Sequence, residues 1–151
     1  GPPGIQGEQG EQGEQGVPGP PGSGGKLMFF AKHTFSLNGA GATTFISPIH
    51  IEDGPEGAEL VGVIPVPCTM TSMAIRQFGL TGATTATFTF RKGTAIPLTD
   101  TAMACTVSSG TAFCTDTDTI VMNTGDLFTF KMVYTAGGSS SDTYLTTLIC
   151  E

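Results

Sequence analysis

Side chains able to do acid–base or nucleophilic chemistry are few in this chain. The sequence has two histidines, 13 acidic residues against six basic ones, and no tryptophan. Asp116 and Asp118 are two positions apart, which on a strand would place both carboxylates on one face. Such a pair could bind calcium or act as the acid and base of a glycosidase. Because no further acid or base accompanies them, we interpret them as solvated charges that protect an edge strand from aggregation.

Motifs of the common enzyme and metal-binding classes are absent from the sequence. There is no nucleophile elbow, no phosphate-binding glycine loop and no His-Glu-x-x-His segment. A zinc site is not expected, because no Cys-x₂-Cys pair exists and His33 and His50 are far from the cysteines in sequence. His33, between Lys32 and Thr34, is interpreted as a surface or interface histidine. We therefore predict no catalytic residue, no metal, no cofactor and no enzymatic activity.

The charge and the apolar runs exclude several kinds of partner. A net charge of -7 argues against binding to the phosphates of nucleic acid and to anionic lipid. The longest apolar run covers residues 27–31, whereas a membrane-spanning helix needs ~20 residues. No signal peptide is visible, so an export signal, if there is one, lies outside this segment. We expect neither a nucleic-acid partner nor membrane insertion.

Residues 1–24 carry glycine at every third position. The eight glycines in this register are Gly1, Gly4, Gly7, Gly10, Gly13, Gly16, Gly19 and Gly22. In a collagen triple helix, three polyproline II-like chains wind around one axis, where only the hydrogen side chain of glycine fits. Prolines near both ends of the repeat fix φ before association and so lower the entropy lost on winding. We predict a triple-helical stalk, and hence a homotrimer; a disordered Gly/Pro linker is the alternative, but it has no need of this register.

The middle of the predicted stalk is acidic. Glu8, Glu11 and Glu14 add three negative charges per chain, and no basic residue lies within the repeat. Repulsion among the chains should destabilise the helix at low salt. We interpret the glutamates as a solvated acidic face, with a cation site as the alternative. A stalk this short should be marginal alone and should need a neighbouring domain to hold its ends together.

After a linker at residues 25–26 the composition changes. Residues 27–151 contain all ten phenylalanines, both tyrosines and all four cysteines. No segment keeps the period of a helix, whereas runs rich in threonine and aromatic residues alternate with clusters of Gly, Pro, Asn, Asp and Ser. The candidate strands are residues 27–37, 43–51, 59–66, 68–78, 84–92, 102–107, 112–122, 126–135 and 143–150.

Two of these strands alternate cleanly between apolar and polar positions. Ala86, Phe88 and Phe90 share one face of the first strand, and Phe128 to Tyr134 alternate in the same way. Such alternation indicates one buried and one wetter face. Short strands in this number predict an all-β, two-sheet sandwich of jelly-roll size, long enough to bury its own core. A homotrimer also needs an apolar patch, so we expect some of the N-terminal phenylalanines to face sister chains. The candidates are Phe29, Phe30, Phe35 and Phe45.

The four cysteines are predicted to form two disulfides. Cys105 and Cys114 flank a turn at residues 108–110, so a hairpin would place them opposite each other. Cys68 begins one candidate strand and Cys150 nearly ends the last. Because the last strand of a jelly roll commonly lies beside an early one, a Cys68–Cys150 bridge would hold the C-terminus. Free buried cysteines are the alternative. Four cysteines favour an oxidising, extracellular setting.

The layout resembles the bacterial collagen-like surface proteins. A Gly-X-Y stalk followed at once by a compact β domain is similar to exosporium filament proteins of the BclA type. Residues 105–107, 114–116 and 125–128 are also similar to a hairpin and Gly-Asp-Leu segment in bacterial and phage collagen-like proteins. The resemblance implies a trimer of jelly rolls like those of tumour necrosis factor and the complement globular heads. It further implies that the head aligns three chains and nucleates the stalk of a filament on a spore, a bacterial cell or a phage.

Two functions follow from this layout. The first is a structural, trimerising head. The second is an adhesin or receptor-binding head, in which loops 53–59 and 137–142 would meet a glycan or protein receptor. The two are compatible, because a structural head can also adhere.

The glycine register makes a direct prediction for the stalk. Gly10→Ala should lower the melting transition of the triple helix and leave the transition of the β domain intact, because a methyl group does not fit at the axis. Circular dichroism during thermal melting separates the two transitions. An unchanged stalk transition would refute the assignment.

Overall fold

The structure is a computed structural model that describes residues 1–5, 7, 25–37, 42–47, 53–54, 59–78, 85–135 and 140–151. Most of the predicted stalk lies outside these residues, including its glutamates and five of its glycines, Gly10, Gly13, Gly16, Gly19 and Gly22. At Gly1, Gly4 and Gly7, no described atom lies within 4 Å of the position a Cβ would take. Contacts among the described residues of a single chain therefore do not require glycine there.

The described part of residues 27–151 contains eleven strands. They are β1 (Leu27–Leu37), β2 (Ala42–Ile46), β3 (Asp53–Gly54), β4 (Gly62–Val63), β5 (Cys68–Phe78), β6 (Thr85–Gly93), β7 (Thr99–Ser108), β8 (Phe113–Asp116), β9 (Ile120–Met122), β10 (Leu127–Thr135) and β11 (Ser140–Cys150). Sheet A has the order β1-β11-β5-β8, with β9 also paired to β5. Sheet B has the order β3-β2-β10-β6-β7, with β4 paired to β10. The two antiparallel sheets confirm the predicted all-β sandwich.

The strand boundaries differ from the prediction at several positions, and two of the differences have a visible cause. The candidate strand 112–122 is divided into β8 and β9, because the Asp116 carboxylate accepts the backbone N–H of Asp118 at 2.7 Å and turns the chain. The candidate strand 59–66 contains only the short strand β4. Near its start, the Leu60 carbonyl accepts a hydrogen bond from the Thr129 side-chain hydroxyl at 3.1 Å, and not from a backbone N–H of a strand ladder.

The core lies between the sheets and follows the predicted alternation. Phe88 and Phe90 point inward from β6, and Phe128 and Phe130 do so from β10. Sheet A supplies Tyr144, whose ring meets Phe88 edge-on at 5.1 Å between centroids. Its other buried apolar side chains include Met70, Met73, Ile75 and Leu148. These interdigitating side chains fill the space between the sheets.

Both predicted cysteine pairs stand at disulfide distance. Cys68 and Cys150 join the start of β5 to the end of β11 within sheet A, with their Cα atoms 5.6 Å apart. Cys105 and Cys114, with Cα atoms 5.9 Å apart, join β7 of sheet B to β8 of sheet A. The predicted hairpin ladder between these two strands is wrong. Only an isolated bridge between Ser108 and Thr111 precedes the point where the chain crosses to the other sheet.

The crossing changes the role of the second disulfide. After the turn, β8 pairs with β5, and Gln77 of β5 already donates its backbone N–H to the Ala112 carbonyl at 2.8 Å. Cys105–Cys114 therefore closes the edge of the sandwich where β7 and β8 meet, instead of bracing one ladder.

The two disulfides should differ in their effect on stability. Cys68–Cys150 closes a loop of sequence separation 82, and Cys105–Cys114 one of 9. The loss of unfolded-chain entropy is about 4–5 kcal/mol for the long loop and about 2–3 kcal/mol for the short one. We expect the double variant Cys68→Ala/Cys150→Ala to lose more free energy of unfolding than Cys105→Ala/Cys114→Ala. Denaturant unfolding at one protein concentration tests this; equal losses, or the reverse order, would contradict it.

Candidate functional site

The outer face of sheet B is polar and rich in threonine. Threonines point outward from β2, β6, β7 and β10, and the hydroxyls of Thr87 and Thr106 are hydrogen-bonded across two strands at 2.8 Å. The exposed or half-exposed threonines of this face are Thr43, Thr85, Thr87, Thr89, Thr106 and Thr135. The exposed large apolar side chains described on this face are Val63 of β4 and Val133 of β10. A surface of this composition is stable in water without a partner.

The basic side chains of sheet B form ion pairs with acidic side chains of the same chain. Arg91 is 5% exposed and forms an ion pair with Glu59, which is 4% exposed. Its Nε lies 2.8 Å from a carboxylate oxygen of Asp100, and its guanidinium stands 4.7 Å from the centroid of the Phe45 ring. Arg91 also donates to the Leu98 carbonyl oxygen. This cluster holds two loop segments against the sheet, so its role is structural.

The outer face of sheet A is apolar, in contrast to that of sheet B. Large apolar side chains point into solvent from five of its strands. They are Met28 and Phe30 of β1, Phe78 of β5, Phe113 of β8, Val121 of β9 and Leu145 of β11. We call this set the apolar face. Phe30 is 74% exposed, Val121 65% and Met28 58%, the highest values among the large hydrophobic side chains of the described head. Several exposed large apolar side chains on one sheet face indicate an interaction site.

The most exposed members of the apolar face lie near one end of the sandwich. We call this the proximal end; it is the end where β1 begins, β11 ends and Cys68 is bonded to Cys150. Met28 and Phe30 follow the start of β1, and Val121 pairs with Thr69 near the start of β5. Lys26 and Glu151 form an ion pair at the same end. The chain therefore passes from the predicted stalk straight into the edge of the apolar face.

A cavity of 330 Å³ lies at the other, distal end of this face. Its walls are Lys32 of β1, Thr143 and Leu145 of β11, and Phe78 of β5. Leu145 pairs with Lys32 on one side and with Arg76 on the other, so the two cations flank it. The guanidinium carbon of Arg76 is 5.4 Å from the centroid of the Phe78 ring. The site combines apolar walls with two cationic groups.

A buried polar cluster lies on the opposite side of sheet A from the cavity. Gln77 Nε2 donates to Asp142 Oδ2 at 3.3 Å and to Tyr144 Oη at 3.2 Å. The Tyr144 hydroxyl donates to Asp142 Oδ2 at 3.3 Å. Burial, and secondly the Asp142 carboxylate, raise the pKa of Tyr144 above its ordinary value, so this hydroxyl remains a donor at all ordinary pH values. The cluster fixes the strands that carry the cavity.

Several residues singled out from the sequence have a different position from the one predicted. His33 is fully buried in the sandwich, so its interpretation as a surface or interface histidine is wrong. It occupies an inward position of β1, opposite Tyr144. The neighbours Lys32 and Thr34 are exposed because successive side chains of a strand point to opposite faces.

The predicted carboxylate pair does not form either. Asp116 ends β8, where its Oδ2 accepts the Ala104 backbone N–H at 3.0 Å, whereas Asp118 lies in the exposed loop that follows. Their carboxylates do not share a strand face, and Asp116 acts as a turn-forming residue. Among the described residues, no group of three or more His, Cys, Asp or Glu side chains could hold a metal ion.

Of the phenylalanines expected at an interface, only Phe30 has a described side chain that is exposed. Phe29 is half-buried against Phe128, and Phe45 is buried beneath Arg91. The side chain of Phe35 and most of loops 53–59 and 137–142 are outside the described residues. Sequence reasoning missed Arg76 and Phe78. The sequence signal for the apolar face was the start of β1, where successive residues are apolar, as in a strand that is covered on both faces.

The Gly-Asp-Leu segment forms a turn at the proximal end. Gly125 has a φ of 87°, a conformation that favours glycine, and donates its N–H to the Ile64 carbonyl at 2.8 Å. Asp126 Oδ2 accepts the Asn123 N–H at 2.9 Å and lies 3.0 Å from Lys92 Nζ. Leu127 then begins β10. The turn thus places a buried carboxylate between a backbone donor and a lysine.

Comparisons with known proteins assign no family to the chain. No family model and no curated protein matches it. Among solved structures, a chain from the acidic stable capsid structure of the Helicobacter pylori bacteriophage KHP30 is similar, with 13% sequence identity and a TM-score of 0.47. The similarity covers 83% of this chain and 91% of that chain. No helix in the described part of the chain is long and apolar enough to cross a membrane.

Asp126 should make stability depend on pH. The Asn123 N–H, and then the Lys92 ammonium group, hold the pKa of Asp126 below its ordinary value of 3.8. Its contribution to stability is therefore complete above that value and is lost as the pH falls through the lower, folded pKa. We expect Asp126→Asn to lower the free energy of unfolding at neutral pH and to differ less from the unmodified protein in acid.

Denaturant unfolding at neutral and acidic pH measures this difference. Asp118→Asn, which removes an exposed loop carboxylate, is the matched control and should change stability little at either pH. A destabilisation by Asp126→Asn that stays constant from neutral to acidic pH would show that the linkage is wrong.

Proposed function

We propose that residues 27–151 form a trimerising head that aligns three chains and nucleates a collagen-like triple helix in residues 1–24. The head would be a structural, non-enzymatic part of a filament on a bacterial cell, a spore or a phage. One observation carries the proposal. The most exposed large apolar side chains of the head, Phe30, Val121 and Met28, lie on one sheet face near the end where β1 begins.

Exposure of these side chains to water is costly for a single chain. Removing one side chain of this size from water contributes about 1.5–3 kcal/mol. Several of them per interface are needed, because association itself costs an estimated 4–15 kcal/mol. The apolar face supplies six such side chains, two of which (Phe78 and Leu145) also line the cavity, whereas the described outer face of sheet B supplies two valines, Val63 and Val133. The contact between copies is therefore assigned to sheet A.

The distribution of apolar side chains along the face suits a closed ring of three. A threefold ring needs a heterologous contact, in which two different patches of one chain meet. Met28 and Phe30 lie on the β1 edge of sheet A, and Phe113 and Val121 lie on its β8–β9 edge. In the proposed trimer, the β8–β9 edge of one copy packs on the β1 edge of the next.

Such a head would solve the entropy problem of the short stalk. Three separate chains must pay for association before any stalk contact forms. Because β1 starts directly after the linker, an assembled head brings three stalk ends together at millimolar effective concentration. The 24 residues would then form a spacer of about 70 Å at ~3.1 Å per residue.

The strand order supports a jelly roll of the tumour necrosis factor type. In sheet A the last strand, β11, lies between β1 and β5, and in sheet B the path β2-β10-β6-β7 places β10 between an early and a middle strand. This arrangement resembles the heads of the collagen-like family named above. The two cysteine pairs at disulfide distance favour an oxidising, extracellular location.

The oligomeric state tests the proposal. We expect the full chain to be a trimer at micromolar concentration by light scattering, and Phe30→Asp to be a folded monomer without a triple-helix transition. A charge at Phe30 should not disturb folding, because the side chain is largely exposed. Val133→Asp introduces the same charge on the outer face of sheet B and should remain trimeric. An unmodified chain that is monomeric, or a trimeric Phe30→Asp variant, would rule the proposal out.

An adhesin is the second candidate function. It is favoured by the cavity at the distal end of the apolar face, where Lys32 stands among apolar walls and Arg76 lies beside Phe78. A glycan array probed with the full chain tests adhesion in general, and the absence of any bound glycan would count against it.

A further inference from the structure

We propose that the cavity at Lys32, Phe78, Thr143 and Leu145 binds an acidic monosaccharide through its carboxylate. This goes beyond trimerisation, and it rests on the adhesin function for its biological use. The site lies distal to Met28, Phe30 and Val121 on sheet A, and it borders the proposed trimer contact at Phe113, which pairs with Arg76. Lys32 is four positions after Met28 along β1, and Thr143 lies near the start of β11, away from the proximal end.

The first support is the pairing of the basic residues. The chain has six, and four of them form ion pairs: Lys26 with Glu151, Arg91 with Glu59, Lys92 with Asp126, and Lys131 with Asp100. The remaining two, Lys32 and Arg76, form no ion pair with any described carboxylate. Both flank Leu145 at the cavity.

The second support is the geometry of the two cations. Their backbone positions are separated by two strand spacings, about 10 Å, because Leu145 of β11 stands between them in the register. Arg76 is held beside the Phe78 ring, which orders its planar guanidinium at the rim. A guanidinium binds a carboxylate through two parallel hydrogen bonds, and the lysine adds a point charge from the other side.

The third support is the chemistry of the walls. Phe78 and Leu145 present apolar surface, suited to the C–H face of a sugar ring. Thr143 contributes a hydroxyl, which is hydrogen-bonded to the hydroxyl of Thr34 at 2.9 Å, so both can exchange hydrogen bonds with sugar hydroxyls. Small-molecule sites commonly combine mostly apolar walls with a few polar groups in this way.

The size and charge of the site select among anions. A volume of 330 Å³ falls at the small end of the ~300–1,000 Å³ typical of ligand cavities, which suits one sugar ring and exceeds the needs of an inorganic anion. Polyanions such as nucleic acid are disfavoured by the net charge of -7. A singly charged sugar acid fits both limits.

Saturation-transfer NMR with the full, disulfide-intact chain tests the proposal. The probes are glucuronate and, as the neutral control of the same ring, glucose. We expect glucuronate to bind at least about tenfold more tightly than glucose, since a charge-assisted pair contributes that much or more. Arg76→Gln and Lys32→Gln should each weaken glucuronate binding by about tenfold. Lys131→Gln removes the same charge on sheet B and should leave binding unchanged.

The remaining outcomes overturn the inference. These are no binding of glucuronate at millimolar concentration, equal binding of glucose, equal weakening by Lys131→Gln, or full displacement by an equal concentration of sulfate, which would indicate a site for inorganic anions. Light scattering on the same samples separates this inference from the trimer. A trimer that binds no sugar acid defeats the site alone, and a monomer that binds glucuronate defeats the trimer alone.

Discussion

A sheet that is apolar on both faces sets the constraint on which the rest of this structure depends. Sheet A buries one face against sheet B, as any sandwich must. Its other face also carries large apolar side chains, and nothing in the described part of the chain covers them. Sheet B solves the same problem differently, with an outer face of threonine hydroxyls and methyl groups that water tolerates. The asymmetry between the two faces indicates which one is made for a partner.

Most basic side chains of this protein form ion pairs within the chain. An acidic chain with few basic residues uses most of them to hold its own loops, above all through Arg91, which joins Glu59, Asp100 and the Leu98 carbonyl. A buried ion pair of this kind is difficult to break, because removal of one partner leaves an uncompensated charge. Lys32 and Arg76 do not take part in such a network. Two cations without a described carboxylate partner, on an otherwise apolar surface, are suited to a ligand from outside the chain.

The cysteine pairs close the sandwich at two different places. Cys68–Cys150 joins neighbouring strands of sheet A at the proximal end, where the backbone ladder continues from Thr69 to Glu151. Cys105–Cys114 joins the two sheets at their edge. An edge strand such as β8 is a site of unwanted pairing, and its covalent attachment to β7 restrains it. The exposed apolar side chains of β8 and β9 can therefore be presented to a partner from a fixed edge.

The sequence by itself determined the all-β class, most strand positions, the inward set from Phe88 to Tyr134 and the identity of both cysteine pairs. Except for the Cys68–Cys150 pair, which followed from the strand order expected of a jelly roll, these follow from local rules, because alternation along a strand and turn residues between strands are visible without knowledge of the partners. Tertiary structure alone decided that Cys105 and Cys114 bridge two sheets, that His33 is buried, and that Asp116 ends a strand. It also brought Lys32 and Phe78 to one cavity and placed Arg76 beside it. These features depend on which strands become neighbours, and strand order in a sheet results from long-range pairing that no local pattern encodes.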